Sequence, residues 1–130
     1  MTEHENVTKM RQAYAAFGKG DFDALTELWA EDIRWHEPGH TAFAGTYVGP
    51  QSIFEMFGKI MEMTEGSFRV EPLTLLADDN WAVAVVTTTA HRGGKTLETL
   101  SSHLTRMVDG RAVEFWDTET EPDTMDEFFA

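Results

Sequence analysis

The segment Trp35-His36-Glu37-Pro38-Gly39 combines residue types and a spacing that suit acid–base chemistry. The residues from Ile33 to Glu37 are typical of a short strand, which Pro38 ends because proline has no backbone N–H to pair. Side chains two positions apart on a strand point the same way, so Trp35 and Glu37 share a face. A carboxyl group beside apolar surface loses hydration, which raises its pKa towards neutrality. We therefore predict that Glu37 is a catalytic proton carrier.

The composition indicates one soluble globular domain. A chain of 130 residues with 42% hydrophobic residues is long enough for a single core. Its 23 acidic and 10 basic residues give a formal charge of −13, which argues against nucleic acid or an anionic membrane as a partner. Cysteine is absent, so disulfides and thiolate sites are excluded. The polar, acidic N-terminus and the lack of a long apolar run predict a cytoplasmic location.

The first half of the chain has the hydrophobic spacing of amphipathic helices. Gly18-Lys19-Gly20 ends the first helix, and Asp21 is placed to cap the second. Pro50 suits the first turn of a third helix, whose apolar face includes Met56 and Phe57. The predicted elements are a helix over 7–17, a helix over 21–29, a strand over 33–37, a loop over 40–48 and a helix from residue 50.

The second half has the pattern of strands separated by turn residues. Arg92-Gly93-Gly94-Lys95 and Asp109-Gly110 predict two hairpins. Helices followed by an antiparallel meander indicate an α+β domain, in which a curved, mostly antiparallel sheet wraps around the N-terminal helices and encloses a pocket. The predicted elements are strands over 68–77, 81–91, 96–108 and 111–119, and a short helix over 123–130.

Several short motifs occur in a characteristic order: Gly20-Asp21-Phe22-Asp23-Ala24-Leu25, Trp29-Ala30-Glu31-Asp32, Glu37-Pro38, Gly45 with Gly49-Pro50-Gln51-Ser52-Ile53, and Asp109-Gly110-Arg111-Ala112-Val113. In this order the chain resembles the ketosteroid isomerase and SnoaL-type cyclase group of the nuclear-transport-factor-2-like superfamily, over nearly its whole length. The resemblance implies a single SnoaL-like domain over 1–130. It also implies a cystatin-like α+β barrel with a cone-shaped pocket.

The resemblance assigns roles to individual positions. In ketosteroid isomerases the acid before the first strand's proline is the general base, and Glu37 occupies that position. In SnoaL-like cyclases an aspartate late in the sheet is the acid/base group, and Asp117 is similar in placement. The positions of the isomerases' oxyanion-hole residues carry Ser102 and Ala13, with Tyr14 beside Ala13. Steroid isomerisation itself is therefore not the expected reaction.

Strand parity then selects the residues predicted to face the pocket. Phe115, Asp117 and Glu119 share the side that the resemblance assigns to the pocket. Two opposed carboxyl groups, Glu37 and Asp117, would raise the pKa of one of them by like-charge repulsion. The predicted substrate-binding residues are Tyr14, Phe17, Trp35, Met56, Phe57, Thr87, Thr89, Ser102, Leu104 and Phe115.

The leading hypothesis is cofactor-independent proton abstraction next to a carbonyl of a small, hydrophobic molecule, as in isomerisation or aldol-type cyclisation. Glu37 would be the base and Asp117 a second acid/base. One alternative is a non-catalytic domain that holds a hydrophobic ligand. Another, implied by a relative of this fold, is epoxide hydrolysis by two acids and an arginine, for which Arg34 and Arg106 are the candidates.

The histidines are not expected to bind a metal. His36 and Glu37 would point to opposite faces of their strand, and with His40 they lack the spacing of ligands on one helix. His40 lies in a loop that could fold over a pocket mouth, and His91 is predicted to be an exposed hairpin residue. His103 has the opposite parity to Ser102, so we expect it on the outer face of the sheet.

That outer face is expected to form a homodimer. Its predicted residues are too apolar to be left fully exposed to water, and members of the superfamily commonly pair through such a surface. The predicted set is Ser101, His103, Thr105 and Met107 with Ala82, Ala84, Val86 and Thr88.

Overall fold

Helices and strands follow one another in the predicted order, and the computed structural model describes residues 3–130. The helices are α1 (Glu5–Lys19), α2 (Phe22–Leu28), α3 (Pro50–Met63) and α4 (Pro122–Phe128). The strands are β1 (Trp29–Glu37), β2 (Gly45–Val48), β3 (Arg69–Ala77), β4 (Trp81–Arg92), β5 (Lys95–Val108) and β6 (Arg111–Glu119). Within the described residues, no helix has the length and apolar character needed to cross a membrane.

Local sequence signals determine where α1 and α2 meet. Gly20 adopts a left-handed conformation with φ 69°, which glycine tolerates, and its backbone N–H donates to the carbonyl of Phe17. The next residue, Asp21, accepts a hydrogen bond from the backbone N–H of Ala24 on its side chain and so caps α2. The predicted boundary between these helices is therefore confirmed to within a few residues.

The strands form one six-stranded, curved and unclosed sheet in the order β2-β1-β6-β5-β4-β3. All neighbouring pairs are antiparallel except β1 and β6, which are parallel. The α+β class with a cystatin-like sheet is thus confirmed. Two local predictions are wrong: β1 begins at Trp29 rather than Ile33, and β2 forms inside the predicted loop by pairing with the end of β1.

The helices bury their apolar faces against one side of this sheet. On α3 the buried residues are Ile53, Met56, Phe57 and Ile60, whose spacing of three and four places them on one helical face. Met56 is 1% exposed and belongs to the core. Aromatic rings from helices and strands meet at this interface, and Trp35 stacks on Phe115 with ring centroids 3.6 Å apart.

Cross-strand register corrects the predicted faces of β5. His103 pairs with Asp117, and paired residues point to the same side of a sheet. Because Asp117 faces the helices, His103 does so as well, and its predicted outward orientation is wrong. Ser102 and Leu104, each one position away, point to the outer face. The prediction that they line the pocket is wrong for the same reason.

The same correction applies to β4. Ala84 pairs with the inward His103, whereas Val85 pairs with Ser102 and faces outwards together with Thr87 and Thr89. Thr87 and Thr89 are therefore not pocket residues. The set predicted for the dimer face lies on the inner side instead, and it comprises Ser101, His103, Thr105, Met107, Ala82, Ala84, Val86 and Thr88.

Candidate functional site

A mostly apolar cavity, here called the main cavity, lies between the helices and the inner face of the sheet. Its volume is about 120 Å³. Five of the predicted substrate-binding residues line it, namely Tyr14, Phe17, Trp35, Phe57 and Phe115. Met56 is not among the lining residues. The other walls include Trp29, Phe43, Phe68, Met107 and Met125.

Three acidic side chains, here called the carboxyl cluster, form the polar part of this wall: Glu37, Asp117 and Glu119. Glu37 ends β1, and the other two alternate at the end of β6, so parallel pairing of these strands brings them together. Trp35 donates its indole N–H to Glu37 at 2.7 Å, as expected for side chains that share a face. Ser101 donates its hydroxyl to Glu119 at 2.5 Å.

Glu37 and Asp117 have opposite pKa shifts. Burial raises the pKa of Glu37 well above its ordinary value, and the negative charge of Asp117 adds to the effect. Burial acts in the same direction on Asp117, but the hydrogen bond and charge of His103, with hydrogen bonds from Glu119 and Glu37, outweigh it and lower the pKa. Of the two carboxyl groups, Glu37 therefore holds a proton more readily than Asp117.

The hydrogen-bond requirements of Asp117 agree with this assignment. Its side chain is 9% exposed, and its buried Oδ1 makes no hydrogen bond of ordinary length among the described residues, since His103 Nε2 lies 3.5 Å away. A proton on Glu37 or Glu119, both of which hydrogen-bond with Asp117, provides this carboxylate with a further donor. Burial and the charge of Asp117 also raise the pKa of Glu119 to about 8. Burial and mutual repulsion thus favour protons on Glu37 and Glu119 over a cluster with three charges.

Tyr14 and His103 form a chain of polar contacts that ends at Asp117. The hydroxyl of Tyr14 lies 2.6 Å from His103 Nδ1, and His103 Nε2 lies 3.5 Å from Asp117 Oδ1. Burial and the nearby Asp117 charge raise the pKa of Tyr14, so the phenol keeps its proton. His103 thus contacts Tyr14 through Nδ1 and Asp117 through Nε2. Sequence reasoning missed His103, and only the register of β5 against β6 could have identified it.

The remaining candidate residues lie away from the main cavity. His36 faces away from Glu37, as predicted, and contacts Glu114 at 2.7 Å. Arg34 and Arg106 both contact Glu114 on the outer face, so neither can take part in the epoxide reaction that was considered. Among residues 3–130, no group of three or more histidine or acidic side chains is arranged to hold a metal ion.

A contact beside the carboxyl cluster joins the loop after β1 to α4. The backbone N–H of His40 donates to Asp126 Oδ1 at 2.9 Å, and this hydrogen bond lowers the pKa of Asp126. Gly39 has φ +86°, and a Cβ on it would lie 2.8 Å from the same oxygen. The loop can therefore approach Asp126 this closely only with glycine at position 39.

Gly39→Ala is expected to destabilise the protein by about 1–3 kcal/mol, because alanine strains the backbone and meets Asp126. Urea denaturation would measure the change. Gly18→Ala is the matched control, since Gly18 lies in α1 with open space around its Cβ position. That variant should be neutral or slightly stabilising. Equal effects of the two substitutions would contradict the close approach at Gly39.

Comparisons with known proteins agree with this fold. An uncharacterised protein of Mycobacterium tuberculosis is 28% identical over 131 residues, which cover the whole of both chains. The structure of Bal32a, from a soil-derived mobile gene cassette, is 34% identical over 97% of each chain with a TM-score of 0.92. IdmH from Streptomyces antibioticus, described as a candidate polyketide cyclase, is 17% identical, covers 95% of this chain and 98% of its own, and has a TM-score of 0.77.

The family follows from these matches. A family model described as a SnoaL-like domain matches residues 10–115, which is more than half of the chain. The arrangement of the sheet and helices is shared with solved structures of a cystatin-like fold and of nuclear-transport-factor-2-like proteins. The chain therefore belongs to the SnoaL-like family.

Proposed function

We propose that the main cavity binds a small, mostly apolar carbonyl compound and moves a proton at the carbon beside the carbonyl, without a cofactor. The supporting observation is the pair Glu37 and Asp117, in contact on the cavity wall with opposite pKa shifts. A protonated and an ionised carboxyl group side by side provide the acid and the base that this reaction needs. The similarity in fold to a candidate polyketide cyclase is consistent with this reaction class.

The protonation states reverse the roles that the sequence suggested. The Asp117 carboxylate removes the proton from carbon, and the electron pair moves to the carbonyl oxygen to form an enolate. Glu37 donates its proton to that oxygen. In an isomerisation, Asp117 delivers its proton to another carbon while Glu37 takes back the enol proton. In an aldol-type cyclisation, the enol carbon attacks a second carbonyl, Glu37 takes back the enol proton and Asp117 protonates the new alkoxide.

The surroundings of Asp117 orient it for this step. His103 holds one side of the carboxylate and is itself held by Tyr14, so the base has a defined position before substrate binds. The aromatic walls exclude water and lower the local dielectric, which strengthens the hydrogen bond from Glu37 to the developing negative charge. The same walls favour a flat, apolar substrate with its oxygen directed at the carboxyl cluster.

Exchange of α-protons in deuterated water tests the proposal. With 2-tetralone as an enolisable probe, the protein should accelerate deuterium incorporation by about 100-fold or more over buffer, as seen by mass spectrometry. The non-exchanging 2-naphthol should compete and suppress the effect. If 2-tetralone binds, as shown by protein NMR shifts, but exchanges no faster than in buffer, the cavity only holds a ligand and the proposal is wrong.

We also propose a homodimer through the outer face of β4, β5 and β6. This face carries Trp81, Leu100 and Trp116 rather than the residues predicted for it from the sequence. Several large apolar side chains are exposed there, including Trp81 at 41% and Leu100 at 43%. The rings of Trp81 and Trp116 lie side by side, with centroids 6.2 Å apart. A continuous apolar area on a sheet face is typical of an interface between subunits.

Sedimentation at micromolar concentration should therefore show a dimer. Trp81→Glu should weaken it by about 10–100-fold, because a charge would be buried in the contact. Lys59→Glu, an exposed position on α3, is the control and should leave the dimer unchanged. A monomeric wild-type protein at this concentration would overturn the dimer proposal.

A further inference from the structure

A second, smaller cavity lies against the carboxyl cluster and is here called the rear cavity. Its volume is about 20 Å³, enough for one water molecule on this measure. All three acids of the cluster line both cavities, so the cluster forms a wall shared by the two. The other residues that line the rear cavity are Pro38, Gly39, Thr41, Phe43, Pro122, Met125 and Asp126.

Thr41 lines the rear cavity and carries a polar atom that lacks a partner. Its Oγ1 is buried and has no hydrogen-bond partner among the described residues. A buried hydroxyl without a partner costs about 1–3 kcal/mol, so such groups in folded proteins are paired, often with an ordered water. Water in a cavity of this size needs two to four polar partners. Thr41 and the carboxyl oxygens of the cluster provide them.

We infer that the rear cavity binds one ordered water and that this water, together with Glu119, carries protons between Asp117 and solvent while substrate fills the main cavity. The second part rests on the proposed function. A substrate in the main cavity covers the cluster from that side, whereas the rear cavity still gives Asp117 access to water. Glu119 is only partly buried at the end of β6 and lines both cavities.

The proton balance of this route is simple. After substrate has given its proton to Asp117, Glu119 releases its own carboxylic proton to solvent, and the proton on Asp117 passes to Glu119 through the water bound near Thr41. In deuterated water the same steps in reverse bring a deuteron from solvent to Asp117. Asp117 delivers this deuteron to the carbon while Glu37 takes back the proton that it gave to the oxygen. All three acids return to their starting charge states, and one proton of the substrate has been replaced by a deuteron. A raised pKa near 8 lets Glu119 both hold and release a proton close to neutral pH.

The water site is tested without any activity measurement. Water–protein NOE and ROE spectra of the wild-type chain should show a long-lived water next to Thr41. Thr41→Val has nearly the same shape but no hydroxyl and should lose that signal, whereas Thr41→Ser should keep it. A wild-type spectrum without the signal, or a Thr41→Val spectrum that retains it, overturns the water site.

The proton route is tested by buffer rescue in the exchange assay with 2-tetralone. At low buffer concentration, Glu119→Gln and Thr41→Val should slow deuterium incorporation by about tenfold, and small buffer acids should restore it. Wild type and Thr41→Ser should be insensitive to buffer, since the internal route is intact. A loss that buffer does not restore indicates a structural effect and overturns the route, as does the absence of any loss. If the wild-type protein does not accelerate exchange of 2-tetralone, both the proposed function and the proton route are wrong. The NOE measurement still decides whether the water site exists.

Discussion

Asp117→Asn is expected to slow deuterium incorporation by about 10²–10⁴-fold while leaving 2-naphthol binding nearly unchanged. Asparagine has the shape of aspartate and keeps its contacts with His103 and Glu37, but it cannot accept a proton from carbon. The loss should therefore appear in the chemical step and not in binding. Mass spectrometry of the exchanged ketone and a competition titration with 2-naphthol measure the two quantities separately.

Two further measurements distinguish a base from a structural residue. The charge of Asp117 is one cause of the raised pKa of Glu37, so that pKa should fall in Asp117→Asn when the carboxyl groups are titrated by ¹³C NMR. Glu98→Gln, an exposed position on β5, should change neither the exchange rate nor that titration. If Glu37→Gln proves far more damaging than Asp117→Asn, then Glu37 is the base and the assigned roles are wrong.

Glu37→Gln is expected to stabilise the folded protein at alkaline pH by about 1–3 kcal/mol. The pKa of Glu37 is higher in the folded than in the unfolded chain, so the folded state binds more protons above the ordinary value of 4.5. Stability is therefore present at acid pH and is lost as pH rises towards the folded pKa. Glutamine mimics the protonated acid and has no charge to bury, so the variant escapes this loss.

The stabilisation expected for Glu37→Gln should depend on pH. Near about pH 4 both proteins are neutral at this position and should melt within about a degree of each other, whereas above about pH 9 the variant should melt several degrees higher. Glu119→Gln should act in the same direction, with the difference developing between pH 4.5 and about 8. The control Glu98→Gln should show a constant difference. A Glu37→Gln variant that is equally or less stable than wild type at alkaline pH would contradict a buried, protonated Glu37.

In Glu37→Gln the gain in stability should be accompanied by slower deuterium incorporation. Glu37 supplies the proton for the developing oxyanion, and its amide replacement can donate a hydrogen bond but not a proton. Natural active sites often retain such destabilising groups because the reaction requires them. Opposite changes in melting temperature and exchange rate in one variant would be evidence that Glu37 is held for chemistry rather than for folding.

Local interactions explain which parts of the fold could be predicted. The helix end at Gly20 and the cap at Asp21 depend on residues within a few positions of each other, and both were predicted correctly. The strand β2 was missed because only pairing with the end of β1 makes residues 45–48 extended. Trp29 was predicted to lie in a helix because its apolar side chain suits either a helix or a strand. In the structure it pairs with Ala112 of β6 and belongs to β1.

The inner and outer faces of the central strands could not be assigned from alternation. Both faces of β4 and β5 carry apolar side chains, as Val85 and Leu104 on the outside and Val86 and Met107 on the inside show. A shift of one residue in register exchanges the two faces completely. Alternation along β4 and β5 therefore predicted correctly which residues share a face. It assigned those faces to the wrong sides of the sheet, so Ser102 rather than His103 was predicted to line the pocket.

The sequence by itself determined the α+β class, the family, and the shared face of Trp35 and Glu37, because these follow from local spacing and from motif order. Only the tertiary structure decided which of the two acids has the raised pKa and which histidine stands beside them. The pKa shifts depend on burial and on charges contributed by strands far apart in the chain, here β1, β5 and β6. Long-range pairing thus raises the pKa of Glu37 and lowers that of Asp117.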